Sequence, residues 1–507
     1  MPQPLTLNGV PDKIAMDAWW LASSGAPTEQ ARPAPTAFSA RSGAHTPPGF
    51  PRIVLGLAVL VPAADILFWD HRMGLSLAVF AALIFAVTAW GLPRRQVWRP
   101  ALLLTAGAMP VLDYVQALSV AILGAALLFA LVWTRIPDAR ANARIGAALL
   151  LLSSLPAQWT APFLAPLRKR SVMPAAATPM LRQSLRNWAF PIGGGMVLAA
   201  LLLDANPVLS RLILQDFDLA MLFERALFWG GIALLVWPLV SPTPVPRNMR
   251  LPDAPRLRGL GLNEGSVLRA LLMFNLMIGA QTLMDASIFI GGTDLPLGMT
   301  YASYAHRGAY PLLVTALLAG AFALAARPFL DSHRAMRPLM QLWLGQNVVL
   351  CASAMLRAQA YIEQYGLTYL RLHALIWMAL VATGLMLTAW QVAHARPMEW
   401  LLKRVAILGI GTLYVASLVN FAGVIATHNL KADKNDSDYL CQLGPTAAAA
   451  FAASGRDETD LPDTYRCDLH APAWDGWQEW GFRNWRVARY VARVQDLIAE
   501  TEEVAAE

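Results

Sequence analysis

The sequence predicts an all-α bundle of about eleven membrane-crossing helices, N-terminus inside and C-terminus outside, with a small helical segment at the outer end. Three observations predict it. Hydrophobic residues make up 56% of the 507 positions and charged residues only 14%, against roughly 25% charged in soluble domains. Apolar runs near the ~20 residues that a helix needs to cross ~30 Å of hydrocarbon recur along most of the chain. The Lys and Arg residues between those runs gather on alternate sides, as topology by the positive-inside rule requires.

The elements follow in order. Residues 1–50 contain no apolar core of the length a signal peptide needs. Their Pro/Ser/Gly-rich stretch Arg41–Gly49 cannot bury enough apolar surface to order itself. A flexible inner tail is expected there, with a short amphipathic stretch, Met16–Leu21, at the bilayer surface. Residues 51–428 are expected to form the bundle. Spans are predicted near Ile53–Trp69, Leu75–Leu92, Asn187–Leu203, Arg225–Val240, Val267–Ile290, Pro311–Ala326, Leu339–Leu356, Arg371–Ala393 and Val405–Thr427. Ala101–Trp133 exceeds one crossing and predicts a hairpin turning near Asp113. Ile145–Pro166 is apolar but interrupted by Pro156 and Pro162. If it crossed, the basic loop after it would face outward, so it is expected to be re-entrant or interfacial. The loops on one side then hold 21 Lys and Arg, and those opposite, Asp70–Gly74, Asp204–Arg225, Gly291–Tyr310 and Arg357–Arg371, hold 6. Residues 429–507 are too polar to cross. Their acidic centre, four Trp from Trp474 to Trp485 and a helix expected over 477–497 predict a cap on the outer face. Cys441 and Cys467 fall in that cap and predict a disulfide on the oxidising side, two free thiols being the alternative.

Polar residues cluster at the predicted outer end of the spans: Asp65, Asp113, Asp285, and the loop residues His306, Arg307, Glu363 and Tyr365. Ionisable groups in spans usually face a bundle interior or a watery cavity. An outward-facing cleft is therefore expected, with Asp113, Asp285, His306, Arg307, Glu363 and Tyr365 as its ligand-binding groups. His306 would change charge near neutrality, and Arg307 would grip an anion with two donors. Ion pairs such as Asp285–Arg307 or Glu363–Arg371 that merely fasten helix ends are the structural alternative. No P-loop, HisGluXaaXaaHis or GlyXaaSerXaaGly motif occurs, and His and Cys are too scattered for a metal site. No cofactor, no metal and no nucleic-acid partner is expected, since the basic residues are dispersed between spans rather than clustered on one face.

Several stretches resemble a known family: Arg269–Asn275, Gly291–Leu312, Tyr361–Met378, Asp204–Pro207 and the terminal segment around Asp438–Pro445. They are similar to a family of polytopic bacterial inner-membrane proteins catalogued as a domain of unknown function. The resemblance covers most of the chain after about residue 50. It implies a multi-pass envelope protein and no particular activity.

Two uses fit these features. One is binding or translocation of a small solute, ion or lipid headgroup through the outer cleft, which needs polar groups continuing to the inner face. The other is a sensory, scaffold or assembly role that holds another envelope protein. A membrane enzyme acting on a lipid-linked substrate ranks last, because no second acidic motif lies in the first outer loop. Membrane lipids are the expected partners in each case.

Overall fold

The computed structural model describes residues 50–164, 187, 191, 194, 195, 198, 201, 202, 219–241, 263–289, 301–432, 437–453 and 471–492. All regular structure among them is helical. The N-terminal tail up to Gly49 lies outside the described residues.

Eleven of the helices are α1 (Phe50–Phe68), α2 (Leu75–Ala89), α3 (Arg94–Asp113), α4 (Ala117–Arg135), α5 (Ala141–Leu164), α6 (Leu219–Val240), α7 (Glu264–Phe289), α8 (Tyr301–Ala326), α9 (Met336–Tyr365), α10 (Tyr369–Ala393) and α11 (Met398–Leu418). Short helices follow: α12 (Phe421–Lys431), α13 (Ser437–Gln442) and α14 (Ala448–Ala453). After them come a 3₁₀ turn, Trp477–Glu479, and a helix over residues 482–492. Among the described residues, six helices are long and apolar enough to cross a membrane: Ala117–Arg135, Met221–Val240, Glu264–Asp285, Met336–Tyr365, Tyr369–Ala393 and Met398–Leu418. Three shorter apolar stretches accompany them, Ile53–Phe68, Leu75–Ala89 and Val314–Phe329.

Burial runs opposite to that of a water-soluble helix. On α7 the exposed residues include Leu272, Met273, Leu276, Met277, Leu283 and Met284, while Asn275 and Asp285 are buried. A broad apolar face of that kind requires a non-aqueous surrounding.

The helices sort into two packed groups. In the first, α1, α2, α3, α4 and α6 share a core of Leu60, Ala64, Ile84, Phe85, Val111, Leu131 and Val236. The expected hairpin at Asp113 is present as α3, a three-residue turn and α4. Gly107 permits its tight crossing, because a Cβ there would lie 2.2 Å from the Cβ of Ala126. In the second group α7, α8, α9 and α10 enclose Val267, Leu271, Ala319, Ala323, Met340 and Leu344. Helix α11 packs on α3 and α4 of the first group and on α10 of the second.

Two expectations change, and the apolar run Ile145–Pro166 is continuous: α5 runs from Ala141 through Pro156 and Pro162 to Leu164. Tyr301–Tyr310 was assigned to an outer loop but forms the first turns of α8. The single span Val405–Thr427 is two helices, since α11 stops at Leu418 and Asn420 caps α12 by accepting from the Gly423 N–H at 3.2 Å. A polar residue within an apolar run is here a helix start.

Candidate functional site

Among the described residues, the most deeply buried acid–base pair sits between α7 and α9. Asp285 and Arg357 have side chains only 4% exposed, and the Arg357 Nη2 donates to Asp285 Oδ1. The carboxylate also accepts from Ser353 Oγ at 2.6 Å and Gln281 Nε2 at 2.9 Å. Helical spacing explains the convergence. Gln281 precedes Asp285 by four residues and Ser353 precedes Arg357 by four, so each pair shares a face. A charge that deep is tolerated only when paired and hydrogen-bonded.

Polar residues continue from this pair toward the other end of α7 and α9. Asn275, Gly279, Thr282 and Asp285 recur at spacings of four, three and three along α7. On α9, Trp343, Gln346, Leu350, Ser353 and Arg357 repeat at three or four. The two stripes face each other: Asn275 Nδ2 donates to the Leu339 carbonyl at 3.0 Å, and a Cβ on Gly279 would meet Gln346 Nε2 at 3.2 Å. Further amides flank the seam, with Gln341 Nε2 donating to the Ala389 carbonyl on α10 at 2.8 Å and Gln391 2% exposed.

Asp113 belongs to a different joint. At the end of α3 it accepts from Arg483 of the C-terminal helix, with Nε at 3.0 Å. The same guanidinium donates to the Leu418 carbonyl at 3.1 Å and the Val419 carbonyl at 3.4 Å, and lies over the Tyr114 ring. It thereby satisfies carbonyls left open where α11 ends. Nearby, the Arg72 N–H donates to Glu479 Oε1 at 2.9 Å and the Leu75 N–H to the Trp480 carbonyl at 2.9 Å. The C-terminal segment is thus clamped onto the α1–α2 loop, the α3–α4 turn and the α11–α12 break. A third pair, Asp65 with Arg225, joins α1 to α6, with Nε at 2.9 Å and the Trp229 Nε1 also donating at 2.9 Å.

Glu363 and Tyr365 are exposed at the end of α9. Arg371 does not pair with Glu363; it donates to the Tyr365 carbonyl at 2.8 Å and to that of Gly366, and stacks on Tyr361. It caps the helix instead. His306 and Arg307 lie in the first turns of α8, but their side chains, like Cys467, fall outside what is described. Arg357, assigned from sequence to an outer loop, is inside α9. Sequence reasoning missed it together with Ser353, Gln281, Asn275 and Arg483; the three- and four-residue spacing along α9 was the available signal for Arg357 and Ser353.

Apolar outer faces around a buried polar seam define a polytopic membrane protein. The chain belongs to the family described as Domain of unknown function (DUF4153), which matches residues 53–453. No curated protein and no solved structure matches it.

Proposed function

We propose that this protein binds and translocates a small ion, a proton in the first instance, along the seam between α7 and α9. The reading includes its setting: a bacterial inner membrane, about eleven crossings, N-terminus in the cytoplasm, C-terminal segment in the periplasm, and lipid around the apolar faces. The observation that carries it is the buried Asp285–Arg357 pair at the end of a polar stripe shared by two helices. Ionisable groups at such depth mark ion pathways and relays more often than surface features do. The expected outer cleft is thereby narrowed to Asp285, whose partners are Arg357, Ser353 and Gln281. Asp113 becomes a fastening residue, and His306 and Arg307, in the first turns of α8, remain proposed entrance groups.

The test uses proteoliposomes loaded with pyranine and driven by a potassium gradient with valinomycin. The wild-type protein is expected to acidify or alkalinise the lumen faster than protein-free vesicles, and Asp285→Asn, of equal shape, to lose most of that rate. Equal rates in all three would discard the reading and leave the holding of another envelope protein in front. The clamped C-terminal segment favours that second role, because it presents exposed aromatic surface at Trp477 and Phe482.

A further inference from the structure

We propose that α7 and α9 enclose a file of buried water running from Asn275 and Trp343 to the Asp285–Arg357 pair. The inference deepens the ion-translocation reading by giving the seam its filling, and it rests on that reading for its purpose. Five buried polar atoms carry it: Asn275 Oδ1, Trp343 Nε1, Gln346 Oε1, Asn347 Oδ1 and Gln391 Nε2 have no hydrogen-bond partner among the described residues. Four of these side chains are nine-tenths or more buried, Asn347 completely. Buried polar groups almost always find partners, in protein or in ordered water.

The amide orientations of the two asparagines are not arbitrary. Asn275 Nδ2 donates to the carbonyls of Leu271 at 2.7 Å and Leu339 at 3.0 Å. Asn347 Nδ2 donates to the Trp343 carbonyl at 2.8 Å. Turning either amide over would set oxygen against oxygen, so each Oδ1 must point away from those carbonyls, to where no donor among the described residues reaches. Water meets it there. The orphan set contains both acceptors and donors and no charge, and water supplies both functions, whereas a bare cation would satisfy the oxygens and not Trp343 Nε1 or Gln391 Nε2.

Position fits the same occupant. Trp343 lies at the centre of the second group, with its ring 5.4 Å from that of Phe274 and 6.3 Å from that of Phe322. Asn347 lies six residues before Ser353 and ten before Arg357, about 9 and 15 Å along the helix. That distance is spanned by a few waters in hydrogen-bonded contact. Leu350, 1% exposed, is the apolar step between Gln346 and Ser353.

The test is hydroxyl-radical footprinting by synchrotron X-rays on the full chain in lipid nanodiscs. Radicals form from water already in place, so a buried residue beside water is oxidised and a dry one is not. Trp343 is expected to label within about five-fold of Trp477, which is 52% exposed, and Asn347→Leu to lower Trp343 labelling at least five-fold. Asn275→Leu is the second variant if the first does not fold. An unlabelled Trp343 in the wild-type protein overturns the water file and leaves the flux experiment to judge translocation by itself. A labelled Trp343 that is insensitive to both variants also overturns it, because the water would not be held by these amides. A labelled, variant-sensitive Trp343 in a protein without proton flux keeps the water file and discards the translocation reading.

Discussion

Replacing Arg357 by leucine removes the guanidinium from Asp285, whose side chain is 4% exposed and which also accepts from Ser353 and Gln281. Removing one partner of a buried ion pair costs about 3–5 kcal/mol. At about 1.4 kcal/mol per tenfold, the open population of the seam should rise roughly a hundred-fold to a few thousand-fold. Cys351 reports it directly, since it is the free thiol among the described cysteines, is 3% exposed and lies two residues from Ser353. Its alkylation by a maleimide, read on its own peptide by mass spectrometry, tracks the open population when opening and closing outpace labelling. Arg357→Leu is therefore expected to label faster by two orders of magnitude or more. The double variant Asp285→Leu/Arg357→Leu removes both charges of the pair and should return to within about ten-fold of the wild type, because apolar replacement of a buried pair is often neutral. A single variant that labels within three-fold of the wild type would refute the claim that this pair holds the seam closed. So would a double variant as reactive as the single.

Four further outcomes concern the C-terminal segment. Arg483→Ala should free the C-terminal segment, by about 1–3 kcal/mol for the lost charged hydrogen bonds, and trypsin should cut residues 471–492 faster while the bundle stays intact. Gly74→Ala sets a Cβ 2.3 Å from the Glu479 carbonyl carbon, so the same proteolysis should accelerate and thermal unfolding shift downward. The Arg72 N–H, chiefly, holds the Glu479 carboxyl below the ordinary glutamate range, aided by the Asp475 N–H and by the charges of Arg72 and His71 and opposed by burial. A lowered folded value means that the stabilisation is complete above the ordinary range near ~4.3 and is lost as pH falls through the lowered value. Amide hydrogen exchange over residues 471–492, normalised to the intrinsic rate at each pH, should thus show less protection at pH 3 than at pH 7, and Glu479→Gln should flatten the difference. Peptide mapping without reductant should recover Cys441 linked to Cys467; alkylation of both thiols in the unreduced protein would remove the proposed bridge.

Much of the fold was legible because apolar length is a strong signal. Predicted and observed boundaries agree within a few residues for α1, α2 and the Asp113 hairpin. Where they diverge, local chemistry competes with hydropathy. Asn420 lies inside the apolar run Val405–Thr427 without breaking its hydropathy, yet its side chain starts a new helix. Tyr301–Tyr310 is polar enough to look like a loop, while nothing in it forbids helix. The candidate site was legible only as residue types. Asp285 and Asp113 stand out as acids near apolar runs, but the partner of Asp285 is 72 residues away and that of Asp113 is 370 away. Hydropathy carries no information on which helices pair across such separations. Arg357 was lost for a related reason: a long cation near a span end looks like a loop residue until the facing carboxylate is known.

The bond between Asp113 and Arg483 also sets a clock for biosynthesis. At roughly 5–20 residues per second, the ribosome reaches position 483 some 20 to 75 s after position 113. Throughout that interval the α3–α4 hairpin must wait in the nascent chain with an unmatched carboxylate at its tip, and for roughly the last 3 to 13 s the end of α11 waits with unmatched carbonyls. A chain arrested before residue 483 would keep that blemish permanently, a mark by which quality-control proteases can tell an unfinished molecule from a finished one.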